Sequence, residues 1–182
     1  MLASEFKHKF FIAALMGALA AAPRAGDAAT VSVSNNLDAN IQANGSLSAP
    51  LSANLTHTGT VFNSFSGAVS LQYRARTTAS GGGSLTLKVI QDFQSGGPSA
   101  SAGDLSYTCS AAGLGTACGT TTASTTSATN VVALPVSACT GGGSPCSSTD
   151  PNSVVVTFTL ADRASVKTGS FTANVQFTIS AT

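Results

Sequence analysis

From position 31 onward, apolar and polar side chains alternate in short runs instead of recurring every three or four residues. A period of two places alternate side chains on opposite faces of a strand, so each run reads as a strand with one apolar face. The clearest case closes the chain. Val154, Val156, Phe158 and Leu160 alternate with Val155, Thr157 and Thr159; beyond a polar, Gly-containing turn, Phe171, Ala173, Val175, Phe177 and Ile179 alternate with Thr172, Asn174, Gln176 and Thr178. Residues 153–180 are therefore expected to form two strands joined by a loop. A lone hairpin cannot cover its apolar face in water, so the rest of the chain must supply an opposing layer.

Earlier runs offer that layer. Over 67–77, Val69, Leu71, Tyr73 and Ala75 share one face while Ser70, Gln72, Arg74 and Arg76 share the other. Over 84–91, Leu85, Leu87 and Val89 face inward, with Thr86, Lys88 and Ile90 outward. Gly81-Gly82-Gly83 between the two runs predicts a hairpin with a loop of several residues. Leu105, Tyr107 and Cys109 share a face, and 130–136 is a strand that Pro135 confines to an edge or an end. Residues 51–55 and 60–65 are weaker strand candidates, Asn44-Gly45 is a turn signal, and the Ser/Thr-rich stretch 110–130 reads as a long loop or an irregular edge strand. The tally is seven to nine short strands with frequent turns. That pattern predicts an all-β fold, an antiparallel two-sheet sandwich that is Ig-like in architecture only, since Trp is absent.

The first 29 residues stand apart. Lys7 and Lys9 precede a short apolar stretch, Phe10 to Ala22, and small residues follow, with possible cleavage after Ala20 or Ala28. This is a signal-peptide pattern, helical and too short for a comfortable membrane span. We therefore expect a signal peptide at 1–29 and one sandwich domain at 30–182, secreted to the periplasm or cell surface, with no integral membrane span after removal. No Cys adjoins a cleavage site, so no lipid anchor is indicated.

Charge narrows the partners. Only 8% of the 182 residues are charged. From Thr30 onward, Arg74, Arg76, Lys88, Arg163 and Lys167 balance Asp38, Asp92, Asp104, Asp150 and Asp162. A neutral mature chain has no electrostatic footprint for nucleic acid, and it has little charge repulsion to oppose self-association.

All four cysteines, Cys109, Cys118, Cys139 and Cys146, lie in the mature part, and an even count in an exported chain points to two disulfides. Local pairing, Cys109 with Cys118 and Cys139 with Cys146, is favoured because closing short flexible loops is cheap. The nested pairing, Cys109 with Cys146 and Cys118 with Cys139, would instead tie the loops together. A zinc site would need a C-x₂-C spacing or nearby histidines, and neither is present.

The inventory for catalysis is thin. His57 is the one mature histidine, no G-x-S-x-G elbow occurs, and the aspartates sit beside turn signals. No D-x-D calcium pattern and no phosphate loop is present, and we expect no enzyme activity, metal or cofactor. Arg74 and Arg76 could meet an acidic ligand, although a solvated strand face accounts for them more simply.

The final segment, TGSFTANVQFTIS, is similar to the G-[S/T]-[F/Y]-alternating C-terminal strands of exported bacterial β-sandwiches, among them fimbrial subunits and spore-coat-U-like proteins. The alternating segment 30–42 resembles the N-terminal donor strand of chaperone–usher pilins. The resemblance implies a fimbrial-like structural or surface protein that assembles by strand exchange with copies of itself or other surface subunits. Val31, Val33, Leu37 and Ile41 would then be the inserting residues. The alternative for that arm is the first strand of a complete monomeric sandwich. The alternative function is a glycan- or ligand-binding adhesin module, with recognition on loops 95–103 and 110–130.

Overall fold

The computed structural model describes residues 39–57, 59–110, 112–140, 146 and 151–182. The expected signal peptide and the candidate donor residues Val31, Val33 and Leu37 lie outside the described residues. What is described is all β: β1 Asn44–Ser48, β2 Thr56–His57, β3 Phe65–Arg76, β4 Gly83–Gln91, β5 Leu105–Cys109, β6 Thr116–Ala117, β7 Thr121–Thr122, β8 Thr129–Leu134, β9 Asn152–Leu160 and β10 Asn174–Ala181. They form two antiparallel sheets. The first runs β1-β3-β9-β5-β7, with β2 also on β3, and the second runs β10-β4-β8-β6.

The alternating pattern builds the core directly. Val69, Leu71, Tyr73 and Ala75 of β3, Leu105 and Tyr107 of β5 and Val154, Val156, Phe158 and Leu160 of β9 line the inner face of the first sheet. Leu85, Leu87 and Val89 of β4 and Val132 and Leu134 of β8 answer from the second. Both tyrosines are fully buried, and their hydroxyls find partners there, as a buried phenol requires. The Tyr107 hydroxyl lies 2.8 Å from Thr129 Oγ1 and 2.9 Å from the Asn130 carbonyl, linking β5 to β8 across the sandwich. The Tyr73 hydroxyl donates to the Leu114 carbonyl and accepts from the Leu114 N–H.

The connections differ from those the pattern suggests. β9 pairs with β3 and β5 whereas β10 pairs with β4, so the closing hairpin is two strands in opposite sheets. The same holds across Gly81-Gly82-Gly83, where β3 belongs to the first sheet and β4 to the second. From β3 onward every successive strand changes sheet. Asn44-Gly45 opens β1 instead of making a turn, and residues 60–63 make the turn, closed by the Asn63 N–H on the Thr60 carbonyl with Phe62 at φ 67°. Within 110–130, β6 and β7 are short edge strands, one in each sheet.

Two disulfides join Cys109 with Cys118 and Cys139 with Cys146. The first starts on β5 in one sheet and ends just past β6 in the other, so it staples the layers together. Two disulfides fit an oxidising environment. No helix among the described residues is long and apolar enough to cross a membrane.

Candidate strand-addition edge

Each of the two open sheets has two edges, and three of the four are blunt. β6 and β7 are two residues each, and the edge beyond β3 is shared by the short β1 and β2, with 49–55 looping away between them. The fourth edge is β10. It runs for eight residues, NVQFTISA, pairs with β4 on one side, and has no strand on the other among the described residues.

Long open edges are templates for another strand, and proteins usually blunt them with charge, proline or brevity. β10 has none of these. Its outward residues Asn174, Gln176, Thr178 and Ser180 are uncharged and exposed, and its inward residues Val175, Phe177 and Ile179 are only partly buried against the core. Central strands differ: the inward Leu85, Leu87 and Val89 of β4 and Val154, Val156, Phe158 and Leu160 of β9 are buried. The apolar face of β10 is therefore incompletely closed. β1 comes closest, and Gly45 lies against Ile179, where an added Cβ would stand 3.2 Å from its Cγ1. The two strands meet there without hydrogen-bonding. The sandwich thus carries a seam between the β1 edge of one sheet and the β10 edge of the other, with Leu47 partly buried on the β1 side.

Two loops at the far end hold β10 in place. The carboxylate of Asp92 accepts the N–H groups of Phe93 at 2.9 Å, Ala100 at 2.7 Å and Ser101 at 3.1 Å, and the Ser99 hydroxyl at 2.9 Å. Partial burial opposes its ionisation, but the donors from Ala100, Ser101, Phe93 and Ser99 together outweigh it and lower the carboxyl to about 2. Asp104, buried, accepts the Ser99 N–H at 2.9 Å and pairs with Arg163 in the β9–β10 connection. Lys167 N–H binds the Gly96 carbonyl, Thr172 N–H binds Gln94 Oε1, and Gly97 leaves room for the Phe171 ring, which a Cβ there would meet at 2.4 Å. The β4–β5 loop is thus a scaffold for the connection that delivers β10.

The other residues singled out by sequence fall elsewhere. Ile41 is 71% exposed and precedes β1, outside the core. His57 tilts against the Phe65 ring, centroids 5.0 Å apart, with Nε2 covered and without a hydrogen-bond partner. Loop 95–103 is tied down by Asp92 and Asp104, and 110–130 is held by the Cys109–Cys118 bridge and the two short strands. Among the described residues, no group of three or more His, Cys, Asp or Glu could hold a metal ion. In comparisons with known proteins, no family model matches the chain, and neither does any curated protein or solved structure.

Proposed function

We propose that this chain is an exported, non-enzymatic structural protein of the cell surface, fimbrial-like, that assembles with copies of itself or with other surface subunits by strand addition at β10. The observation that carries this reading is an eight-residue edge, free of charge and proline, whose inward Val175, Phe177 and Ile179 remain only partly covered. An added strand would satisfy the open backbone groups of β10 and extend the apolar layer with its own alternate side chains. The arm 30–42 has that alternation in Val31, Val33, Leu37 and Ile41, and Ile41 is not used by its own core. The near-zero net charge of the mature chain leaves repulsion between copies weak.

The test compares chains starting at Thr30 and at Ala43 by size-exclusion chromatography and light scattering. The longer chain is expected to form multimers, the shorter one to be monomeric, and a synthetic 30–42 peptide to bind the shorter one. Monomers of both chains, with no peptide binding, would refute the proposal.

A further inference from the structure

A second feature lies at the other end of β3, away from the Asp92 loop. Arg74 and Arg76 project from the same outer face, two residues and so about 7 Å apart along the strand. β1 sets Ser46 directly opposite Arg74 and Asn44 directly opposite Arg76. Cross-strand neighbours of this kind have Cβ atoms about 4.5–5.5 Å apart. With Gln42, these residues line an open cleft of about 450 Å³.

Among the described residues, the charge in this cleft is unbalanced: the one ion pair joins Arg163 to Asp104, and no described carboxylate lines the cleft. Arg74 is partly buried, and its Nε is covered from solvent without a hydrogen-bond partner. A covered charged donor with no acceptor is costly and rare in native structures. Two of the five cations from Thr30 onward therefore line one open cleft, and the other described lining residues are uncharged.

We propose that this cleft binds an acidic saccharide of the uronic-acid type. A guanidinium grips a carboxylate through two parallel N–H donors, and two guanidiniums, those of Arg74 and Arg76, line this cleft. The hydroxyl of Ser46 and the amides of Asn44 and Gln42 both donate and accept, which suits the hydroxyls of a sugar ring. An acidic peptide is disfavoured because Ile41 is the one large apolar side chain among the described lining residues. The proposal does not require strand addition, because Asn44, Ser46, Arg74 and Arg76 belong to β1 and β3 of one chain, although Ile41 and Gln42 in the lining also belong to the 30–42 arm.

Isothermal titration calorimetry on the chain starting at Thr30 tests it, with an oligogalacturonate, its uncharged methyl ester and an oligoglutamate of equal length as probes. The free acid is expected to bind and to weaken as salt is raised, and the ester to bind at least tenfold more weakly. R74Q should lower affinity roughly tenfold or more, the scale of losing a charge-assisted hydrogen bond. S46D is the second variant. It leaves both arginines in place but sets an internal carboxylate opposite Arg74, and it should abolish binding while thermal stability is kept or raised. Absence of binding at millimolar oligogalacturonate would overturn the proposal. So would equal binding of the ester or the oligoglutamate, or an S46D chain that binds normally.

Discussion

Replacing Asp92 with Asn probes the scaffold that delivers β10. One oxygen of the carboxylate accepts from the Phe93 and Ala100 N–H groups, and the other accepts from the Ser101 N–H and the Ser99 hydroxyl. An amide retains one acceptor oxygen but turns an NH₂ toward the remaining donors, so half of the network becomes donor against donor. The carboxyl falls from 3.8 to about 2 on folding. At about 1.4 kcal/mol per unit this is a ceiling near 2.5 kcal/mol, and partial solvent exposure reduces it to about 1–2 kcal/mol. Because the folded value is the lower one, the contribution is fully present above the unfolded value. It fades as pH falls through the folded value, where both states bind the proton. Urea unfolding of D92N and the parent chain should therefore differ by about 1–2 kcal/mol near neutral pH and converge toward about pH 2. A gap that is the same at both pH values would refute the carboxylate's role, as would no gap near neutrality.

The remaining predictions follow from the core and the staple. Tyr73 and Tyr107 are the only tyrosines, and burial raises both phenols above 10, against the opposing hydrogen bonds to Leu114 and Thr129. Near-UV absorbance titration should show no phenolate while the chain is folded, and stability should decline as pH rises through about 10, where the unfolded tyrosines ionise first. Reversible titration of either residue near its ordinary value in the folded chain would contradict this. Replacing both Cys109 and Cys118 with Ala should lower stability by roughly 2–3 kcal/mol in chemical denaturation, the loop-entropy scale for a bridge this short. A loss below about 0.5 kcal/mol would mean that the cross-sheet link adds nothing to the packing of Tyr107 and its neighbours.

Open edges and shared faces differ in how far local sequence specifies them. The inward faces of β3, β4, β5 and β9 were legible residue by residue, because burial on one face imposes the period of two. Pro135 marks the end of β8, which stops at Leu134. The absence of charge and proline in 174–181 could have singled out β10 as an edge, but only with the other edges known to be short. The basic cleft was hidden for a related reason. Asn44-Gly45 has the composition of a turn, and only pairing with β3 sets Asn44 and Ser46 beside the arginines.

By itself, then, the sequence determined that the chain is β, which side chains enter the core, and that two disulfides were available to it. It could not determine which strand pairs with which. Alternation records the face a side chain takes, and a hairpin and an arch between two sheets leave the same alternation on either side of a polar connection. Tertiary packing decided that β9 and β10 lie in different sheets, because the inner faces of both sheets had to be covered at once. The same choice left β10 at an edge with no strand on its outer side among the described residues.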